Sequence, residues 1–325
     1  MILLTGGAGF IGSNLHASLN ASGAEVAVSD WLGSNGKWRN LRHPPSLLIA
    51  PEQLDDFLAQ RPVLSAVVHL GAISETTASD ADLVWRSNVA LSQKLWSWCA
   101  ANGVRFIYAS SAATYGDGAA GFDDEFSTLA LRRLQPLNLY GWSKHAFDLW
   151  VAHQVEAKMP APPAWAGVKF FNVYGPNEYH KGSMISVVKV KHDEIRAGGP
   201  VRLFRSAEPG LADGAQRRDF IHIDDVVAAL EFLLTTPKIV GLFNLGTGLA
   251  RSYAELARAV CAASGVAERI EYIDMPAALR GQYQSFTQAS MARLRAAGFD
   301  HEFCTLEQGI TRYIQNYLTK VDPYR

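Results

Sequence analysis

The first twelve residues constrain the fold more than any other part of this sequence. Met1–Thr5 is an apolar run with the length of a buried strand, and the glycine-rich segment 6–12 follows it directly. Three glycines at intervals of three allow a tight turn, a bare backbone near a phosphate, and close packing of a helix on the strand. The helical pattern Phe10–Ser22 begins within this turn. The arrangement therefore predicts a dinucleotide-binding unit, and the alternative is a purely structural turn.

Further apolar runs alternate with helical patterns through the first half of the chain. The predicted strands are Glu25–Asp30, Ala66–Leu70, Arg105–Ser110 and Val168–Phe171, and Leu83–Asn102 is the longest helical pattern between them. Alternation of this kind, with strands that are apolar on both sides, is typical of a parallel sheet covered by helices on both faces. We therefore expect an α/β fold with a doubly wound parallel sheet.

The character of the sequence changes after residue 171, where loops become longer and richer in turn residues. Amphipathic helices are expected near Tyr253–Ser264 and Thr305–Leu318. We expect residues 1–171 to form a dinucleotide-binding domain, to which a segment near residues 220–246 returns. Residues 172–325 should form mainly a smaller α/β substrate-binding region over the carboxyl ends of the strands, where ligands of open α/β sheets bind.

Composition excludes several classes of function. The 325 residues carry a net charge of −1, which gives no overall field for nucleic acid or an anionic membrane. Cys99, Cys261 and Cys304 have no metal-ligand spacing, so free thiols and no metal site are expected. The sequence opens on a strand rather than a signal peptide, and no apolar run reaches the ~18 residues of a membrane span. We expect a cytoplasmic protein with a small-molecule partner.

A tyrosine and a lysine four residues apart stand at the start of a predicted helix. Tyr140 and Lys144 would share one helical face, and a neighbouring ammonium lowers the pKa of a phenol from its usual value near ~10. Ser111 follows the strand Arg105–Ser110 and can hydrogen-bond a reacting oxygen. An isolated Tyr-x-x-x-Lys is more often a surface pair. Combined with the glycine turn and the serine, it predicts hydride chemistry at a carbinol carbon, with Tyr140, Lys144 and Ser111 as catalytic residues.

The end of the second predicted strand bears on the choice of cofactor. Asp30 can accept hydrogen bonds from an adenosine ribose, which favours a free 2′-hydroxyl and hence NAD. Lys37 and Arg39 follow within ten residues and can offset this carboxylate in favour of a 2′-phosphate. The residues alone leave NAD and NADP open.

Taken together, these motifs resemble those of the extended short-chain dehydrogenases/reductases that modify nucleotide sugars, over nearly the whole chain. Further segments that resemble this family are Phe171–Pro176, Arg218–His222 and Asn244–Gly248. Others resemble its ADP-heptose 6-epimerase subfamily, namely Ala109–Gly116, His180–Met184 and Gly281–Gln288.

The resemblance implies a reaction as well as a fold. In that subfamily, bound NADP takes hydride from C6 of the heptose, a 6-ketone forms, and hydride returns to the other face. A proton-transfer group on each face is then useful, and the matching positions are Tyr140 and Lys181. The alternative for Lys181 is a solvated loop lysine. The resemblance further implies synthesis of the lipopolysaccharide inner-core heptose and a homopentamer.

The resemblance also assigns ligand contacts. It places the cofactor against Gly6, Gly9, Phe10, Ile11, Gly12, Asp30, Trp31, Lys37, Leu70, Gly71, Ala72, Ile73, Ser74, Asn88, Tyr140, Lys144, Val173 and Lys181. It places the substrate against Ser111, Asn172, Ser183, Phe204, Arg205, Ser206, Arg218 and Tyr283. Arg218 suits a pyrophosphate, although a salt bridge with Asp219 or Asp224 is its alternative. For Asn88 the alternative is a polar residue on a helix face.

Two positions depart from the subfamily pattern. A second lysine near the adenosine phosphate is usual around the position of Gln53, where this sequence has none. The loop Arg205–Gln216 is longer than usual.

Three rival functions remain for this fold. A sugar dehydratase needs an acidic pair after the strand that ends near Ser111, but Ala112 and Ala113 stand there. A UDP-sugar 4-epimerase has no obvious use for Lys181. A non-catalytic dinucleotide sensor would not need Ser111, Tyr140 and Lys144.

Overall fold

The computed structural model describes residues 1–276 and 284–325. Its strands are β1 (Ile2–Thr5), β2 (Val26–Ser29), β3 (Leu47–Ile49), β4 (Ala66–His69), β5 (Arg105–Ser111), β6 (Trp165–Phe170), β7 (Asn172–Tyr174), β8 (Val201–Phe204), β9 (Arg217–Arg218), β10 (Phe220–His222), β11 (Val240–Leu245), β12 (Arg251–Ser252) and β13 (Ile270–Ile273). Its helices are α1 (Phe10–Ala21), α2 (Leu54–Ala59), α3 (Ala81–Val84), α4 (Leu91–Asn102), α5 (Thr128–Leu131), α6 (Leu139–Glu156), α7 (Val187–Arg196), α8 (Ile223–Thr235), α9 (Tyr253–Ala263), α10 (Ala292–Ala296) and α11 (Leu306–Tyr313).

The main sheet has seven strands in the order β3-β2-β1-β4-β5-β6-β11, and every neighbouring pair is parallel. The first six follow the order 3-2-1-4-5-6, in which the chain runs outward from β1 in both directions. Such a sheet opens a crevice at the carboxyl ends of the strands, where the direction reverses. The predicted doubly wound parallel sheet is confirmed.

Helices cover both faces of this sheet because successive strand residues point to opposite sides. Leu4 packs into a core that contains residues of α1 and α8. Its neighbour Leu3 packs into a second core that contains residues of α4 and α6. Both leucines are fully buried, as the apolar pattern of the first strand predicts.

The second half of the chain adds three two-stranded sheets, β7 with β10, β9 with β12, and β8 with β13. Helices α9 and α11 pack together over a separate apolar core that includes Leu256 and Ile310. The division of the chain into a dinucleotide-binding domain and a substrate-binding region stays a prediction. Within residues 1–276 and 284–325, no helix has the length and apolar character of a membrane span.

Several elements differ from the sequence prediction, and three of these differences concern the main sheet and its helices. β3 was not predicted, since it has three residues and lies at the sheet edge with Leu47 and Leu48 exposed. Within the predicted return segment, only β11 joins the main sheet, whereas β10 pairs with β7. The helical pattern Leu83–Asn102 is divided by a π-helical stretch, Trp85–Ala90, between α3 and α4.

Candidate active site

A cleft of about 1240 Å³ lies at the carboxyl ends of the central strands. Residues at or just after the ends of β1, β2, β4, β5 and β6 all line it: Gly6, Asp30, Leu70, Ser111 and Phe170. The cleft also brings together Gly9, Phe10, Ile11, Gly12, Trp31, Lys37, Gly71, Ala72, Ile73, Ser74, Tyr140, Lys144, Val173 and Lys181. Every residue predicted to contact the cofactor thus lines this one cavity, except Asn88.

The glycine-rich turn fits a dinucleotide. Gly6 has a φ of +70°, and a Cβ atom there would lie 2.5 Å from the backbone nitrogen of Gly71. A Cβ on Gly12 would overlap the carbonyl oxygen of Gly6, so only glycine lets α1 pack this closely on β1. Gly9 caps α1 without a side-chain hydrogen bond, which leaves the first helical N–H groups directed at the cleft. The turn therefore has the form of a pyrophosphate cradle.

Asp30 closes the other side of this cradle. One carboxylate oxygen accepts a hydrogen bond from the Ala8 N–H at 2.9 Å, and the other accepts one from the Lys37 ammonium at 2.7 Å. Lys37 lies in the 3₁₀ turn Lys37–Asn40, and it also donates to the Trp31 carbonyl. The charge of Asp30 is thus compensated at the position expected for the adenosine ribose.

Asn88 does not line the cleft, but it holds the segment that does. Its side chain accepts a hydrogen bond from the Ile73 N–H at 2.8 Å and donates to the Ile73 carbonyl at 2.9 Å. It also donates to the Ser143 hydroxyl of α6. Because Asn88 is fully buried, it fixes the loop after β4 against the helix that carries Tyr140.

Local packing brings Tyr140 next to Ser111. Asn138 caps α6 by accepting a hydrogen bond from the Gly141 N–H at 2.8 Å, so the helix begins one residue before Tyr140. A Cβ on Gly141 would lie 2.7 Å from the Ala113 carbonyl oxygen, so glycine lets α6 approach the turn after β5. The Ser111 hydroxyl lies beside the phenol of Tyr140. Lys144 follows one helical turn later and is buried.

The pKa of the Tyr140 phenol differs from the sequence expectation. Burial raises the pKa of Tyr140, the hydrogen bond from Ser111 lowers it, and the carboxylate of Asp148 raises it again. The predicted fall in the pKa of this phenol is therefore wrong, because burial outweighs the favourable contacts in the folded chain. Burial also lowers the pKa of Lys144 to about 8, although Asp148 raises it.

Behind these residues lies a buried ion pair that was not predicted. Lys169 of β6 and Asp148 of α6 are 3.0 Å apart, and both side chains are fully buried. Asp148 also accepts hydrogen bonds from the Ser110 hydroxyl at 2.6 Å and the Tyr108 hydroxyl at 3.2 Å. The pair therefore ties the helix that bears Tyr140 to the two strands beneath it. Lys169 stands in an otherwise apolar strand, and that was its only signal in the sequence.

The loop before α7 places Lys181 on the cleft. The Lys181 ammonium lies 5.2 Å from the centre of the Phe10 ring, which belongs to the glycine-rich turn. This cation–π contact joins the second half of the chain to the dinucleotide cradle. Burial lowers the pKa of Lys181, and the nearby carboxylate of Glu178 raises it.

The residues predicted for the substrate divide into three groups. Ser111, Asn172, Ser183 and Arg218 line the cleft. Phe204, Arg205 and Ser206 are not among the described residues that line it, and the Arg205 guanidinium donates to the Asp274 carboxylate at 3.1 Å. Tyr283 lies outside the described residues. The guanidinium of Arg218 hydrogen-bonds the backbone carbonyls of Arg217 and Gln284. Asp224, one of the two alternative salt-bridge partners of Arg218, forms ion pairs with Arg312 and Arg325.

The cleft also includes residues that were not predicted, and three of them form hydrogen bonds across it: Asn35, His180 and Gln284. Asn35 donates to the His180 carbonyl at 2.9 Å, which connects the segment after β2 to the loop of Lys181. Gln284 hydrogen-bonds the Gly116 carbonyl at the far end of the cleft. His180 and Gln284 stand in the segments His180–Met184 and Gly281–Gln288, so the resemblance was a usable signal for them, whereas Asn35 had none.

Comparison with known proteins agrees with this geometry. The NAD dependent epimerase/dehydratase family matches residues 2–246. The chain is 46% identical to the ADP-L-glycero-D-manno-heptose-6-epimerase of Nitratidesulfovibrio vulgaris and 41% identical to that of Fusobacterium nucleatum, with 100% of each chain covered in both comparisons.

Solved structures of epimerases also share the fold of this chain. The ADP-L-glycero-D-manno-heptose-6-epimerase of Helicobacter pylori has a TM-score of 0.79 and 28% identity, covering 97% of this chain and 95% of its own. The Thermus thermophilus UDP-glucose 4-epimerase, solved in complex with NAD, has a TM-score of 0.76 and 26% identity, covering 98% and 99%. The family match covers about three quarters of this chain. The two heptose-epimerase relatives align with this chain over their full lengths. This chain belongs to the NAD dependent epimerase/dehydratase family.

Proposed function

We propose that this protein interconverts ADP-D-glycero-D-manno-heptose and ADP-L-glycero-D-manno-heptose by transient oxidation at C6. Such an isomerase supplies heptose for the inner core of lipopolysaccharide. The observation that carries the proposal is the presence of Tyr140 and Lys181 in one cleft, on segments from opposite halves of the chain. Relatives that share 41% and 46% of their residues with this chain bear the name of this activity.

Two proton-transfer groups suit a reaction that inverts one carbon. When bound, a nicotinamide cofactor supplies the hydride acceptor and donor and a positive charge on its oxidised ring. Tyr140 takes the proton of the C6 hydroxyl as a phenolate, a form that the positive charges of this ring and of Lys144 would favour against the effect of burial, and Ser111 donates a hydrogen bond to the reacting oxygen. After the ketone turns over, its oxygen faces away from Tyr140, and the Lys181 ammonium gives this oxygen a proton as hydride returns to C6, which forms the new hydroxyl. The buried Lys144 supports Tyr140 and holds the ribose of the cofactor.

The structure argues against the rivals at particular positions. Ala112 and Ala113 line the cleft where a dehydratase needs an acid–base pair, and neither carries a titratable group. A UDP-sugar 4-epimerase is the second candidate, since such an enzyme from Thermus thermophilus shares the fold. A non-catalytic sensor would not need Tyr140, Ser111 and Lys144 in one cleft.

A direct comparison of substrates tests the proposal. Purified protein is incubated with ADP-D-glycero-D-manno-heptose and, separately, with UDP-galactose, and the products are separated by chromatography. We expect epimerisation of the ADP-heptose alone. Turnover of UDP-galactose in its place would make the chain a 4-epimerase, and turnover of neither would favour the sensor.

We further propose that the cofactor is NADP, within a family that is NAD dependent. The Asp30 carboxylate is engaged by Lys37 and by the Ala8 N–H, so its charge repels a 2′-phosphate less than a free carboxylate would. Lys37 is also a cation within reach of such a phosphate. Denaturing the purified protein and identifying the released nucleotide tests this, and release of NAD alone would overturn it.

The contacts with substrate and the assembly are proposals of the same kind. We propose that Asn172, Ser183 and Arg218 hold the ADP-sugar, with the Arg218 guanidinium on the pyrophosphate. Phe204, Arg205, Ser206 and Tyr283 stay predictions for the same ligand. The homopentamer also stays a prediction, which light scattering of the purified protein would test.

A further inference from the structure

Glu178 is a buried carboxylate that the proposed reaction does not use. It lies between Phe171–Pro176 and His180–Met184, two segments that resemble the family and the subfamily, respectively. Its side chain is fully buried. Burying a carboxylate is costly unless hydrogen bonds or an opposite charge compensate it. The surroundings of Glu178 supply both, and they belong to the loop that carries Lys181.

The hydrogen bonds of Glu178 close this loop. One carboxylate oxygen accepts from the Ser186 N–H and the other from the Ser186 hydroxyl, each at 2.6 Å. Ser186 is also the N-cap of α7, so the carboxylate anchors the loop to the start of that helix. At its other end, the Glu178 carbonyl accepts from the Lys181 N–H at 3.1 Å. The nine residues 178–186 therefore form a closed loop with Lys181 inside it.

The charge of Glu178 acts on the same lysine. Burial raises the pKa of Glu178 and lowers the pKa of Lys181, and the two charges oppose this effect: the carboxylate raises the pKa of the ammonium, and the ammonium lowers the pKa of the carboxyl group. The other titratable groups around the pair are His180 and Tyr179 in the loop, Tyr313 of α11 and Lys37 across the cleft. Burial and the two lysines lower the pKa of His180 to about 4, so that imidazole is neutral near pH 7. Among these described neighbours, Glu178 is the acidic group.

We propose that Glu178 is a positioning residue for the second proton transfer. Its carboxylate closes the loop around Lys181 and provides a counter-charge for this ammonium. The inference rests on the proposed role of Lys181 as the proton donor on the far face of C6. Glu178 does not touch the substrate in this account, and it acts only through Lys181.

The variant Glu178→Gln tests the charge, since glutamine keeps the shape of the side chain. Without the carboxylate, the ammonium of Lys181 is less stable, so its pKa falls. Lys181 should then lose its proton at a lower pH, and the alkaline limb of the epimerisation rate should move to lower pH. The pKa of Lys181 is measured by acetylation at a series of pH values, with mass spectrometry of its peptide.

Two control variants separate charge from loop closure. Ser186→Ala removes one donor and keeps the carboxylate, so it should lower the pKa of Lys181 less than Glu178→Gln does. Glu271→Gln removes an exposed carboxylate of β13 and should leave that pKa unchanged. An unchanged pKa of Lys181 in Glu178→Gln, or an equal fall in Ser186→Ala, would overturn the proposal.

A reciprocal measurement covers the case in which Glu178→Gln does not fold. Coupling between two sites is mutual, so removing the lysine charge must raise the pKa of Glu178. In Lys181→Met, the infrared band of a protonated buried carboxyl group should therefore persist to higher pH than in the wild type. No change in that band would contradict the pairing.

These readouts also distinguish the two levels of inference. Both pKa measurements are independent of turnover. If the wild type does not epimerise ADP-heptose, the proposed function fails, while the coupling of Glu178 and Lys181 is still measured. If the wild type is active and the pKa of Lys181 does not respond to Glu178, only the present inference fails.

Discussion

At the scale of single residues, Tyr140 is the group that the proposed reaction can least replace. Tyr140→Phe keeps the ring that packs in the cleft and removes the hydroxyl that exchanges a proton with C6. We expect folding and cofactor binding to persist while epimerisation falls by ~10²-fold or more, the usual effect of a positioned acid–base group. The rate is measured by chromatography of the two ADP-heptoses. Tyr272→Phe, on β13 away from the cleft, is the matched control, and an equal rate in both variants would refute the assignment.

Lys181→Met addresses the second face of the carbon. Methionine keeps the length of the side chain and its packing on Phe10 but removes the proton donor. We expect complete inversion to stop while the half-reaction on the Tyr140 side continues. Given the epimer whose hydroxyl faces Tyr140, the variant should reduce bound cofactor in a single turnover, seen by nicotinamide absorbance.

The control for this variant is Lys158→Met, which changes an exposed lysine after α6. It should epimerise like the wild type. If Lys181→Met also keeps the wild-type rate, the model with two proton-transfer groups fails.

The sequence predicted the places of these residues in the fold better than their electrostatics. Ser111 and Tyr140 occupy a strand end and a helix start, and both positions follow from local patterns. Their surroundings depend on distant parts of the chain. The pKa of Tyr140 is raised because the folded chain buries the phenol near Asp148, a balance that spacing alone does not reveal.

At the scale of elements, the buried ion pair between Asp148 of α6 and Lys169 of β6 should contribute far more to the free energy of unfolding than an ion pair on the surface does. Lys169→Met leaves the Asp148 carboxylate buried without its counter-charge, which costs ~3–5 kcal/mol of unfolding free energy. Lys94→Met is the matched control, because Lys94 and Asp55 form an exposed pair at 2.7 Å, worth ~1 kcal/mol or less. Urea denaturation at one protein concentration measures both. Equal losses would show that the buried pair has no special role.

The elements themselves were predictable where a pattern is long or repeated. β1 and α1 were identified to within one residue at each end because the glycine turn marks the boundary between them. β3 is too short for a periodic signal. The pairing of β8 with β13 joins residues about seventy positions apart, and no local spacing encodes such a contact.

At the scale of the whole molecule, the candidate site lies where the two halves of the chain meet. The glycine turn, Ser111 and Tyr140 come from the first half, and Lys181 and Arg218 come from the second. The first half was predictable because its motifs are local in sequence. The second was assigned mainly by resemblance, and there Phe204, Arg205 and Ser206 do not line the cleft. Their neighbours across β8 and β13 determine where those side chains lie.

The central claim is that C6 is inverted by removal and return of hydride within the cleft. The most direct test is to convert ADP-D-glycero-D-manno-heptose in D₂O and to analyse the product by mass spectrometry. Hydride that returns without meeting solvent leaves the product unlabelled at C6, whereas inversion by deprotonation would take up deuterium from the solvent. We predict the L-epimer with its original hydrogen at C6. Substantial deuterium at that carbon would contradict the account.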